Sequence, residues 1–344
     1  MKKFMFIIAA AAVALSVHSK DKFAGFYKGT LQGDLHPAIE RTLCAEVFHG
    51  PDGYRLKLVS QPLARTDVYM VLDGLQALGD RIKFSGEGEY YGPIALEGEM
   101  MGGESIKASG RMGDIPVAVD FERVEIVPPT LGEKAPKNAK VLFDGKDTSA
   151  WAMNDGGGEI NWKLLDGGSM LVANGAVSAE GRGINSSIHT KETFKGPFKL
   201  HVEFKIHEMS GAVGQNRGNS GVFIGPYEIQ VLDSFGADGV WNDCGALYRQ
   251  VAPSINASLE PDVWQTFDIT YTPAVMKDGV QVKPALFTVW HNGVRVHNES
   301  EAVWGTAILT SQRAGFVPPE EVRIELQDHN NAIEYRNIWL EEGS

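Results

Sequence analysis

The chain carries only two cysteines in 344 residues, Cys44 and Cys244. A secreted domain held together by cross-links would show several, so sizeable hydrophobic cores must hold this fold. The two are expected as buried free thiols, with a bridge between domains as the other arrangement. Basic residues are also in deficit. The net charge of −12 argues against nucleic acid as a partner. No His-x-x-His, His-Glu-x-x-His or paired-cysteine spacing occurs, so no zinc site is expected. No glycine-rich loop ends in Lys-Ser/Thr before a helix, which excludes a nucleotide phosphate loop. Helical periodicity is nearly absent.

One long apolar run is present, at the start. In "MKKFMFIIAAAAVALSVHSK" a basic opening precedes about fourteen apolar residues and small residues near Ser19, the pattern of a secretory signal peptide over residues 1–19. The run is shorter than the roughly twenty residues of a membrane span, so it is read as a cleaved signal, not a retained anchor. No cysteine sits near the cleavage zone to take a lipid. The expected location is the periplasm or the outside of the cell, without a stable membrane anchor.

The remaining ~325 residues exceed one small core. From 20 to 127, short alternating segments such as "FAGFYKGTL", "GYRLKLVS" and "IPVAVDFERVEI" are separated by Gly, Asp and Pro turns, which predicts a small all-β domain. Residues 128–140, "PPTLGEKAPKNAK", lack apolar periodicity. Prolines extend this stretch and lysines keep it wet, as in a linker. From 141 to 344 the pattern stays β, with "FKLHVEFKI", "GVFIGPYEIQVL", "WQTFDITY" and "VRIELQDH" as the clearest strands. Asn292-Gly293 has the positive-φ chemistry of a type I′ hairpin, and Asn330-Asn331 is expected to serve likewise. Many antiparallel strands over about 200 residues predict a β-sandwich or jelly roll.

The polar faces of these strands hold the candidate chemistry. In "YEIQVLDS", residues 227–234, Tyr227, Ile229 and Val231 face one way and Glu228 and Gln230 the other. "HVEFKIH" opposes His201, Glu203 and Lys205 to Val202, Phe204 and Ile206. "VRIELQDH" does the same with Arg323, Glu325 and Gln327. A solvated outer face explains any one of these strands; several together suit a cleft. Glu228-x-Gln230-x-x-Asp233 has the spacing of the Glu-x-Asp-x-x-Glu signature of jelly-roll β-glucanases, where two carboxylates flank a glycosidic bond. Gln230 cannot ionise, which argues against an ordinary retaining glycosidase. Asn219, in the glycine-rich "GQNRGNSGVF", offers a short polar group beside open backbone. His329 stands at a turn, where an imidazole can exchange protons near neutral pH. Trp241 and Tyr248, in the irregular "GVWNDCGALYRQ", suit a sugar-stacking platform, whereas Trp151, Trp162, Trp264 and Trp339 are assigned to packing. Acidic strand ends leave a divalent cation such as calcium open.

Taken in order, "LFDGKDTSAW", "RGNSGVFIGPYEIQVLDS", "CGALY", "WQTFDITY", "HNGVRVH" and "LQDHNNAIEYRNIW" resemble the 3-keto-disaccharide hydrolase family. The resemblance runs from about Val141 to Glu342. It implies a concanavalin A-like jelly roll, an exported enzyme, and disaccharides or glycosides oxidised at carbon 3 as substrates. With a ketone at carbon 3 the carbon-2 proton is acidic, so the glycosidic oxygen can leave by elimination and water can then add. On that reading Glu228 or His329 acts as base and Asp233 as acid or metal ligand. Gln230, Asn219 and Tyr248 hold hydroxyls, Trp241 stacks on a ring, and Lys205 and Arg336 stabilise the enediolate if they face the cleft. Because Arg336 and Asn337 are neighbours on one strand, only one of them is expected to do so. The competing class is a noncatalytic, lectin-like carbohydrate-binding module on the same fold.

Overall fold

A computed structural model describes residues 21–63, 68–154, 160–172, 186–209, 212–306 and 315–343. The signal peptide expected over residues 1–19 lies outside the described residues. Among them there is no α-helix, a 3-10 turn stands at Gly214–Asn216, and no helix is long and apolar enough to cross a membrane. The chain is all-β.

Nine antiparallel strands between Gly25 and Val124 form one sheet that curls around its own core. Alternate residues make that core: Tyr27 and Leu31, Leu43 and Val47, Leu56 and Leu58, Ile94 and Leu96, Val119 and Phe121. The curl brings Val68–Leu75 against Arg81–Glu89. At Gly88 a Cβ would fall 1.9 Å from the Tyr69 carbonyl oxygen, so only glycine lets the two strands meet.

The rest of the chain builds a jelly-roll-like sandwich from an eight-stranded and a five-stranded sheet. In the larger sheet Phe198–Ile206 lies between Trp264–Thr272 and Ile333–Glu342. The smaller sheet runs, in spatial order, Trp151–Met153, Ile188–Thr190, Ile324–Leu326, Ser220–Ile224 and Tyr227–Val231. One apolar core joins their inner faces: Val202, Phe204, Phe267 and Tyr335 from the larger sheet meet Val222, Ile229, Ile324 and Leu326 from the smaller. The period-two alternation therefore leaves two polar outer faces on opposite sides of the sandwich.

Several local expectations meet this structure differently. Asn292 and Gly293 have φ of 52° and 80° and join Ala285–His291 to Val294–Ala302 as a hairpin. Asn330-Asn331 closes no hairpin, because Ile324–Leu326 and Ile333–Glu342 belong to different sheets; the chain crosses over there, and Asn331 Oδ1 accepts the Asn219 N–H at 2.6 Å. Cys44 and Cys244 are both free and buried. The stretch after the first sheet is docked rather than solvated: Thr130 donates to Asp268 at 2.7 Å, Gly132 N–H to Glu203, and the Asn337 amide to the Glu133 carbonyl. This segment covers part of the outer face of the larger sheet.

Candidate active site

The outer face of the smaller sheet carries two polar rows set by strand register. Ala152, His189, Glu325, Phe223 and Glu228 stand opposite one another across its five strands. The adjoining row places Ser187, Gln327, Gly221 and Gln230 side by side, with Gln327 N–H donating to the Gly221 carbonyl. The inner-face partners Ile188, Leu326, Val222 and Ile229 are buried at 0 % exposure, which pins the register, since a slip by one residue would exchange core and site.

Glu228 sits deep in this face at 4 % exposure. Burial, followed by the nearby charge of Glu325, pushes its pKa up to about 8. Gly221 makes the room it occupies: a Cβ there would lie 2.6 Å from Glu228 Oε1 and 3.0 Å from the Phe223 ring. Burial also raises Glu325, against the opposing effect of a hydrogen bond from Asn154. Asn154 Oδ1 is 2.5 Å from His189 Nδ1, so the amide bridges the imidazole and the Glu325 carboxylate. An amide oxygen only accepts, which puts the His189 proton on Nδ1 and leaves Nε2 with its lone pair. Burial and the Arg323 charge hold His189 below its ordinary 6.5, so it is neutral at pH 7.

Four of the residues singled out from sequence collect at one end of this face. Gln230 donates to Asn219 Oδ1 at 3.3 Å and to Gln215 Oε1 at 3.2 Å, and Asn219 donates to the Gln215 carbonyl at 2.8 Å. The segment around Leu247 pairs alongside Ile229, and Tyr248 N–H donates to the Glu228 carbonyl at 3.0 Å. Burial and the Glu228 charge both raise the Tyr248 phenol. Trp241 is 51 % exposed with its ring 5.7 Å from that of Tyr248, an aromatic ledge at the rim. The side-chain oxygens of Gln230 and Gln327 are buried and accept no hydrogen bond among the described residues. Both oxygens can therefore accept a hydrogen bond from a donor placed against this face.

Other candidates are placed elsewhere. Asp233 lies past the end of Tyr227–Val231 and its carboxylate is taken up by Arg217 Nε at 2.6 Å and the Phe235 N–H at 3.2 Å. Burial raises its pKa and Arg217 opposes the rise. His329 is exposed beyond Leu326, in the crossover that replaces the expected hairpin. Lys205 and Arg336 belong to the opposite outer face. Lys205 pairs with Glu334 at 2.9 Å, Arg336 pairs with Glu203 at 2.6 Å, and both lie over Trp264, which is therefore an outer-face residue and not core. Neither cation can reach chemistry at Glu228. The strict alternation expected at Arg336 and Asn337 also fails. A register shift opposite them, with Asn337 at φ 44°, turns both side chains onto Glu203.

Sequence reasoning missed His189, Asn154 and the pairing of Glu325 with Glu228. His189 lies on a three-residue strand, too short to show a period. Glu325 stood out only as one member of a polar alternation. No group of three or more His, Cys, Asp or Glu side chains gathers as metal ligands among the described residues.

Comparison with known proteins follows the sandwich. Residues 138–341 match the family of 3-keto-alpha-glucoside-1,2-lyase-like domains. A crystal structure of a candidate glycosyl hydrolase from Parabacteroides distasonis is 33 % identical, covering 61 % of this chain and 85 % of its own, with a TM-score of 0.51. A second candidate glycosyl hydrolase from the same organism is 19 % identical over 60 % of this chain and 95 % of its own, TM-score 0.41. The alginate lyase Aly36B is 12 % identical over 60 % of this chain and 98 % of its own, TM-score 0.36. Among curated proteins none matches.

Proposed function

The chain belongs to the 3-keto-alpha-glucoside-1,2-lyase-like family, a glycosyl hydrolase-like group of carbohydrate-active proteins, and on that footing we propose that it cleaves 3-keto-glycosides by elimination across C1 and C2. The observation that carries this reading is Glu228, buried with its pKa pushed up to about 8, in one cross-strand row with Glu325 two strands away and the neutral His189 three strands away.

The C3 ketone makes the C2 hydrogen acidic, and the glycosidic oxygen on C1 lies β to that ketone. His189 Nε2 removes the C2 proton, and the C–H electron pair moves into an enediolate spread over C2, C3 and the ketone oxygen. That pair then forms the C1–C2 double bond as the C1–O bond breaks toward the departing oxygen. Glu228 gives the oxygen its proton, the general-acid role that a carboxyl near pKa 8 can fill at neutral pH. Arg323, whose charge acts on His189, supplies positive potential for the enediolate. Water adding across the double bond completes a net hydrolysis. Asn154 holds the imidazole in the tautomer this requires, and burial, aided by the charge of Glu325, keeps the Glu228 pKa high. Gln230, Gln327 and Asn219 receive sugar hydroxyls, with Trp241 and Tyr248 against a ring.

The test compares a 3-keto-α-glucoside with the same glucoside unoxidised. Release of the leaving alcohol from the ketone alone supports the proposal. Release from both would indicate ordinary glycosidase chemistry, and binding without release from either would make the exposed Trp241 ledge the mark of a lectin-like module.

A further inference from the structure

The N-terminal sheet, curled into a barrel around its own core, does not end at its own surface. The outer faces of its first three strands, at Phe26, Phe48 and Lys57, press on the loop that follows Asp233 in the sandwich. Phe26 packs edge-on against Phe235 with ring centroids 5.1 Å apart, inside a cluster that includes Ala24 and Leu259. Lys57, 8 % exposed, donates to Asp238 at 3.1 Å, and Arg123 faces Glu260 at 3.8 Å. Phe48 is wedged at the end of this contact nearest the sugar face. A Cβ on Gly236 would lie 2.3 Å from its ring, and the Arg217 guanidinium carbon lies 5.5 Å from its centroid. Gly236 has φ 74°, a left-handed backbone that leaves room for the Phe48 ring.

Arg217 closes the turn that carries Gln215. From that turn Gln215 reaches Gln230 and receives Asn219, and its own amide donates to the Asn242 carbonyl at 3.0 Å. Arg217 is anchored from below by Asp233, whose N–H returns to the Arg217 carbonyl at 3.0 Å. Asp233 and Phe48 therefore grip the same guanidinium from two sides, one from each domain.

We propose that the N-terminal barrel is a working part of the sugar site, with Phe48 as a positioning residue that holds the Gln215–Arg217 turn and so sets the Gln215, Asn219 and Gln230 end of the face. This rests on the assignment of that face as the sugar site. The barrel is then no independent appendage: its Phe48–Arg217 contact sets substrate affinity at that end, while the proton transfers at Glu228 and His189 proceed without it.

Phe48→Ala is expected to speed backbone hydrogen exchange at residues 214–218 while the barrel strands keep their protection. On a 3-keto-disaccharide it should raise KM about fivefold to tenfold at nearly unchanged kcat, the scale of a lost cation–π and packing contact. Phe48→Tyr, which keeps the ring, should restore both. Lys57→Ala loosens the same interface away from Arg217 and should leave KM in place. The proposal is overturned if exchange at 214–218 is unchanged in Phe48→Ala, or if Lys57→Ala raises KM equally. Should the native protein cleave no 3-keto sugar, the proposed function fails while the exchange experiment still decides whether Phe48 holds the turn.

Discussion

Glu228 and Glu325 occupy the same cross-strand row with Phe223 between them, on strands one removed from each other in the small sheet. Neighbouring strands are about 4.8 Å apart, so their backbones stand roughly 10 Å from each other. The side chains interact across Phe223 through charge. Burial raises both carboxyls, and the charge of Glu325 adds a smaller upward push on Glu228.

Loss of the acid should be costly. Glu228→Gln keeps the volume and removes the transferable proton, and is expected to lower kcat about 10²–10⁴-fold with little change in thermal midpoint. Steady-state kinetics beside a melting curve checks both halves.

The pH profile carries a sign. Glu228 must be protonated to act as an acid, so kcat/KM should fall as pH rises through about 8. His189 must be neutral to act as a base, so the rising limb should lie below pH 6.5. In Glu325→Gln the like charge is gone, and the upper limb should move to lower pH. Burial is the larger cause of the Glu228 shift, so the limb should stop short of an ordinary carboxyl value.

Gly221 tests geometry without altering any charge. Gly221→Ala forces its new methyl against Glu228 Oε1, at 2.6 Å before relaxation. Displacing a catalytic carboxyl by a fraction of an ångström to one ångström should cost roughly 10–100-fold in kcat. Circular dichroism should show the sandwich intact.

Much of this arrangement is legible in the sequence, and the failures share a cause. Alternation in "YEIQVLDS", "VRIELQDH" and "HVEFKIH" sorts each strand into a buried and a polar side. It cannot tell which sheet a strand joins, so Lys205 and Arg336 read like Glu228 although they face away on the other side of the sandwich. Likewise no local signal announces the bulge at Asn337, the Arg217 partner that occupies Asp233, or the crossover that carries His329 into solvent. Gln230, Asn219 and Tyr248 were recoverable because their own short segments lie beside Glu228 in sequence or in the ordered motifs.

The opposite outer face should govern stability, not turnover. Burial disfavours the charged form of His201, yet Asp268 and Glu203 raise it to about 9; Asp262 and Glu334 lift His207 to about 9 against its burial. Folded-state values above 6.5 mean this stabilisation is complete below pH 6.5 and is lost as pH rises through about 9. Glu203 and Glu334 are held at about 2 by their hydrogen bonds despite burial, so their contribution is present above about pH 4.5 and lost as pH falls toward 2. Thermal midpoints measured across pH should plateau between about 4.5 and 6.5, and His201→Gln should flatten the alkaline side.

The most direct measurement follows the C2 hydrogen. A 3-keto-α-glucoside deuterated at C2 is turned over and quenched early, with a correction for exchange in the free 3-keto sugar. Elimination predicts that each released alcohol is accompanied by loss of deuterium to solvent, and that the His189→Gln protein loses both together. Release of the alcohol with the C2 deuterium fully retained would contradict the account.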